Sequence, residues 1–284
     1  MIRENLILEI DTWGFDENLD RPVFTEVVER AQAHVEEVLA SLPEWNSRAA
    51  VVEDVPEEVQ KALTQIAERS DLQVELQGLD WTLGVVDLRR LVSFQRRLVL
   101  RHEITEKKQF VDWPKRIEVA LPPSRRSSFT HRSHGTGLTL TSENPDLTVR
   151  LHALSEDAET FGLKVHHGSP FMEVGCYRGR WFLRDGYHRA YRLMRAGVFE
   201  VPAVIVHART LEELGANQPY FFPEEVLFSH RPPLVTDFLS VDFVVRWRRP
   251  PRRKVIRIEI REEFELSGPE DGQGAEYEHC NQAR

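Results

Sequence analysis

Apolar positions along the chain change their period near the middle, from helix-like spacing to strand-like alternation. Over 22–42, Val23, Val27, Ala31, Val35 and Leu39 recur close to one helical face, and Pro22 suits the first helical position, where its missing N–H costs nothing. Pro56, after Asp54 and Val55, restarts a helix that runs through Ile66 and Ala67. Leu88, Leu91, Val92, Gln95 and Val99 stand three to four residues apart and predict a third helix over 86–100. Short apolar runs at 49–52 and 73–76 predict strands between these helices.

From Leu147 onward the alternation is two-fold, with Leu147, Val149 and Leu151 on one side of a strand. The run 170–186 predicts a hairpin with Arg178-Gly179-Arg180 at its turn. A helix from His188 to Ala196 follows, stopped by Gly197 in the capping place for a left-handed residue. Residues 201–207 form a continuous apolar run suited to a sheet interior, and short helices are predicted near 208–214 and 223–230. Two alternating strands, 241–248 and 254–262, flank Pro250-Pro251 and predict a hairpin or a tight crossover. The whole predicts an α/β (α+β) fold: a helix-rich α/β region over 1–112, a linker or ordered arm over 113–145, a mixed-sheet module with a C-terminal β-hairpin over 146–266, and a disordered tail over 267–284.

Composition narrows the class. At 41% apolar and 29% charged residues the chain has the balance of a folded protein, and a net charge of −9 argues against a surface coated all over in nucleic acid. Two cysteines, Cys176 and Cys280, make no C-x-x-C pair, and the start lacks a secretory pattern. No apolar run reaches the length of a membrane span. The expectation is a cytoplasmic protein with no membrane partner.

The chemistry concentrates at Asp185-Gly186-Tyr187-His188-Arg189, where a strand passes into a helix. First-turn N–H groups carry a partial positive charge, and Gly186 lets a phosphate approach the backbone. His188 and Arg189 add donors, the latter able to grip phosphate bidentately. Asp185 suits a helix cap or a Mg²⁺ that accompanies a nucleotide. Ala190, Leu193, Met194 and Gly197 form the sheet-facing stripe; Arg189 lies at its margin, so its removal is expected to spare the fold.

Over 148–214 this strand–Asp-Gly-x-His-Arg–helix–Gly–strand order resembles the core of the ParB/sulfiredoxin superfamily, including its Asp-Gly-His-His-Arg members such as the free serine kinases. The resemblance implies a module that binds the phosphates of ATP or CTP with Mg²⁺ through Gly186, His188 and Arg189, with Asp185 as the preceding acidic residue. It further implies an NTP hydrolase or small-molecule kinase as the activity. Tyr187 stands where sulfiredoxins place their reactive cysteine, which argues against sulfinic-acid reduction. No helix-turn-helix module is evident after Leu214, which argues against chromosome partition, and no counterpart of the kinases' acidic catalytic residue is assigned. An ordinary N-cap without a ligand is the competing reading of the turn.

Other signals weigh less. Arg246, Arg248, Arg249, Arg252, Arg253 and Lys254, with Arg257 beyond them, form the strongest basic run. Trp247 lies inside it, and interleaved aromatic and basic residues suit single-stranded nucleic acid. A nucleic-acid-associated regulatory module, helped by Arg125, Arg126 and Arg132, is therefore the second reading; a non-catalytic interaction protein is the third. The histidines 131/134 and 166/167 lack a third ligand at a recognised spacing. Phe110, Trp113, Tyr220, Phe221 and Phe222 read as packing residues.

Overall fold

The computed structural model describes residues 4–10, 37, 40–41, 44–46, 48–100, 112–123, 130–134, 137–142, 147–153, 161–166, 168–216 and 221–263. Strand β1 (Asn5–Ile10) opens the chain, followed by helices α1 (Glu57–Ala67) and α2 (Ser70–Glu75). Next come β2 (Trp81–Asp87), a 3₁₀ turn (Leu88–Arg90), β3 (Val92–Ser93), β4 (Arg97–Leu100) and α3 (Trp113–Ala120). Strands β5 (Thr130–His134), β6 (Gly137–Ser142), β7 (Thr148–Ala153) and β8 (Phe161–His166) precede the hairpin β9 (Glu173–Tyr177) and β10 (Arg180–Asp185). Helix α4 (Tyr187–Arg195), β11 (Glu200–His207), α5 (Leu211–Leu214), α6 (Glu224–Leu227), a second 3₁₀ turn (Val235–Leu239), β12 (Val244–Arg249) and β13 (Lys254–Glu259) complete the α+β fold.

The main sheet is mixed, with order β2-β11-β9-β10-β3. The apolar run Val201–Val206 lies fully inside it, as a strand covered on both faces requires. Pro202 is accommodated because, opposite Val85, it falls at a non-hydrogen-bonded position of the β11–β2 ladder. The β9–β10 turn has Arg178 at φ 48° and Gly179 at φ 73°, both left-handed, the geometry whose twist matches a two-residue hairpin. At the end of α4, Gly197 (φ 80°) lets its own N–H reach Met194 O and that of Val198 reach Leu193 O, both at 2.9 Å.

Several sequence-based expectations change. The helix over 86–100 is instead the end of β2, the 3₁₀ turn, β3 and β4. Asp87 accepts the Arg89 N–H at 3.0 Å and starts the turn, and Val86, Leu88, Leu91, Val92, Ser93 and Phe94 are all buried, which leaves no polar helix face. The strand over 73–76 is part of α2, held by Arg69, which grips Asp71 and donates to Leu121 O and Pro122 O at 2.9 and 2.8 Å. The C-terminal strands do not form a β-hairpin: β12 pairs with β1, and β13 with β6. Pro250-Pro251 supplies no N–H for a tight turn and passes the chain to another sheet. The helix 22–42 falls outside the described residues except at 37, 40 and 41, which are helical, and the tail 267–284 falls wholly outside them.

The boundary at 113–145 does not divide the sheets. β2 and β3 close both edges of the main sheet, while β1 and β4 join β12 in a three-stranded sheet. The described part of 113–145 is ordered structure: α3 hands Ala120 O to Met172 N at 2.7 Å, and β5 and β6 join β13. Among the described residues no helix is long and apolar enough to cross a membrane.

Candidate functional site

The turn from β10 into α4 meets the loop 168–172. A bulge at the end of β10 shifts its register between Leu183 and Asp185, so that Asp185 stands opposite Glu173. One Asp185 oxygen accepts the Gly186 N–H, and the other accepts Ser169 N–H at 3.1 Å. The Arg189 guanidinium donates to Pro170 O and, at 2.5 Å, to Phe171 O, and lies 3.6 Å from Asp185 Oδ1. Asp185 at the end of β10 and Arg189 in the first turn of α4 thus clasp the loop from both sides.

Gly186 is fixed by geometry twice over. Its φ of 96° lies in the left-handed region, and a Cβ there would stand 3.1 Å from Met172 Cα and 3.3 Å from Arg189 Nε and Nη2. Because Gly186 is the N-cap, no side-chain oxygen caps the first turn of α4. The guanidinium of Arg189 instead lies across that end of the helix.

The remaining residues of the motif divide between core and surface. Tyr187 is buried, and its phenol oxygen accepts the N–H groups of Phe94 and Gln95 at 3.1 and 3.3 Å, with Ser93 Oγ at 3.5 Å. Its ring meets Phe94 and Phe238 edge-on, and burial pushes its pKa well above the ordinary phenol range. Tyr187 therefore ties α4 to the end of β3, with its side chain in the core. His188 is exposed and donates from Nε2 to Val99 O at 2.7 Å.

Four neighbours, Pro170, Phe171, Glu173 and Asp237, carry no sequence motif. The carbonyls of Pro170 and Phe171 are invisible to any side-chain pattern. Glu173, 2% exposed, pairs with Arg184, which also donates to Glu213 O at 3.2 Å. A charge set among Phe171, Met172 and Val174 was the available signal, since a buried carboxylate requires a partner. Asp237, in the 3₁₀ turn packed on α4, accepts Leu234 N–H at 2.7 Å, and burial pushes its pKa up to about 7.

Each Asp185 oxygen accepts one backbone N–H, which leaves further lone pairs on the carboxylate. Among the described residues no group of three or more His, Cys, Asp or Glu side chains could hold a metal ion.

The basic run is spread out. Arg246 and Arg248 are exposed on β12, Arg252 and Arg253 are exposed beyond it, and Arg249 and Lys254 are half-buried. The indole N–H of Trp247 donates to buried Glu9 at 3.3 Å, and Arg97 and Arg249 each lie 5.8 Å from its ring. Compared with protein-family models, with curated proteins and with solved structures, the chain finds no match.

Proposed function

We propose that the β10–α4 turn binds the phosphates of a nucleoside triphosphate, ATP or CTP, in the manner implied by the ParB/sulfiredoxin resemblance. The observation that carries the reading is the Arg189 guanidinium lying across the N-terminus of α4, over a glycine N-cap. A cation at the positive end of a helix is electrostatically unfavourable by itself, and Asp185 at 3.6 Å offsets it only in part. An added anion would be attracted by both, and exposed His188 supplies a further donor when protonated. Mg²⁺ would travel with the phosphates, with Asp185 as the nearest carboxylate of the turn. The proposal is one of binding: no side chain beside the turn is assigned to activate an acceptor.

Calorimetric titration with ATP and CTP, with and without Mg²⁺, tests it. Saturable binding that falls at least tenfold in His188→Ala is expected. A ligand at 100 times its Kd adds about 2.7 kcal/mol of stability, so a thermal-shift panel offers a second readout. Folded protein with no response to any nucleotide would leave the turn as a structural clasp.

A second reading, polyanion binding, has one specific observation in its favour. The register sets Arg132 of β5 and Arg257 of β13 on either side of Thr139 of β6, so two separate basic segments meet in one cross-strand row. Both arginines are exposed. Association with single-stranded nucleic acid that weakens steeply with salt, and is lost in Arg132→Ala/Arg257→Ala, would support it.

A further inference from the structure

The second edge of interest belongs to β2, the outermost strand of the main sheet. Along β2 the backbone groups of every second residue face β11, as in the bond from His207 N to Asp80 O at 2.8 Å. The alternate residues face outward. Val85 O accepts Val52 N–H at 2.9 Å, and Asp87 N–H donates to Ala50 O at 2.8 Å, so residues 50–52 begin an added antiparallel strand. The chain then turns away at Glu53, where Val55 N–H reaches Glu53 O at 3.1 Å, and Pro56 starts α1. Leu83 and Trp81, next in the outward series, have no backbone partner on that edge among the described residues. Among the described residues the ladder is started and left open.

Beside the open stretch lies a groove of about 520 Å³ between β2 and α1, lined by Val52, Val55, Leu63, Thr64, Leu83 and Gly84 among others. A Cβ at Gly84 would stand 2.8 Å from Ile205 Cδ1. At the mouth Glu53, Asp54, Glu57 and Glu58 are exposed. Lys61 pairs with Glu57 at 2.6 Å, whereas Glu53, Asp54 and Glu58 have no basic partner among the described residues. Unused hydrogen bonds along this edge among the described residues, a groove lined by both apolar and polar side chains and an acidic rim select one kind of occupant.

We propose that this edge docks an extended segment of a partner protein, which adds a strand beside Trp81–Leu83, places one apolar side chain in the groove and sets lysine or arginine against the acidic rim. Backbone bonds would supply register, the slot would select the apolar residue, and the rim would select the flanking charge. This site is separate from the β10–α4 turn and stands whether or not nucleotide binds there.

The probe is a fluorescein-labelled nine-residue peptide alternating valine with lysine, compared with one alternating valine with glutamate. Fluorescence anisotropy should show saturable binding of the first, with the second at least tenfold weaker. Amide hydrogen exchange at Leu83 should slow at least tenfold in the complex. Thr64→Trp, which fills the slot from an exposed helix position, should weaken binding at least tenfold while leaving the thermal midpoint unchanged; Glu53→Lys/Glu58→Lys should do the same through charge. Equal affinity for both peptides, binding without protection at Leu83, or no binding in folded protein would each overturn the proposal. Protection at Leu83 that rises with protein concentration and without peptide would also overturn it, in favour of pairing between copies.

Discussion

Arg189→Met separates what the clasp does for the fold from what it does for a ligand. Methionine keeps most of the side-chain volume and its helix propensity but removes the donors to Pro170 O and Phe171 O and the ion pair with Asp185. Hydrogen bonds from a charged donor contribute about 1.5–3 kcal/mol each, and these sit on a side chain 21% exposed, so the lower half of that range applies. The 3.6 Å contact with Asp185 adds at most about 0.5 kcal/mol, because that carboxylate is 37% exposed. The expected cost is about 3 kcal/mol. Urea unfolding followed by tryptophan fluorescence measures it, and a thermal midpoint lower by roughly 6–12 °C should accompany it. Hydrogen exchange across 168–172 should rise more than exchange in β11, because the loop is what the guanidinium holds. A variant within about 0.5 kcal/mol of the parent would refute the reasoning and restore the simpler expectation that a residue off the apolar stripe can be removed freely.

Three further perturbations test other parts of the structure. Asp237→Asn keeps an acceptor for Leu234 N–H and removes the buried charge. Because the folded pKa is raised to about 7, the parent is stabilised below the unfolded carboxylate range and loses that stability as pH rises to about 7. The variant should therefore be more stable than the parent at pH 8, by at most about 4 kcal/mol, with the margin vanishing near pH 4 in unfolding titrations. Arg180→Met removes donors to Leu227 O, Phe228 O and Ser229 O at 2.7–2.9 Å, and should cost about 2–3 kcal/mol with faster exchange in α6. Gly186→Ala, forced into a left-handed φ with Met172 Cα 3.1 Å from its Cβ, should cost about 2 kcal/mol or more by the same assay. A parent-like stability in that variant would remove the close-packed turn.

Features that depend on a few adjacent residues were legible in the chain. The turn at Arg178-Gly179, the stop at Gly197, the helix after Pro56 and the buried strand 201–206 all follow from local geometry or an uninterrupted apolar run. The segment 86–100 was not, because Leu88, Leu91 and Val92 match helical spacing by accident: the 3₁₀ turn sits between the buried end of β2 and the buried two-residue β3. Val74, 59% exposed, and its neighbours imitate a strand when Arg69 and its partners are out of view. The Pro250-Pro251 crossover fails for a related reason. Alternation identifies a strand, but the partner of β13 is β6, more than a hundred residues earlier.

The candidate site shows the same divide at the scale of single atoms. Residue types at Asp185, Gly186 and Arg189 are what the phosphate-binding proposal starts from, and Gly186 has a left-handed φ of 96°. What those types cannot disclose is that the acceptors already waiting for Arg189 are main-chain carbonyls of the loop 168–172. Holding the loop and, under the proposal, binding a ligand therefore draw on the same guanidinium. Asp185 holds it now, together with two carbonyls; a phosphate would compete with the carboxylate but not with the carbonyls, since the planar fork donates along several directions. On this account the clasp orders the helix mouth before a ligand arrives, and the exchange of one carboxylate contact for a phosphate contact leaves the loop in place. Loss of stability and loss of nucleotide binding in an Arg189 variant would then be two consequences of one arrangement, whereas loss of stability alone would mark the turn as purely structural.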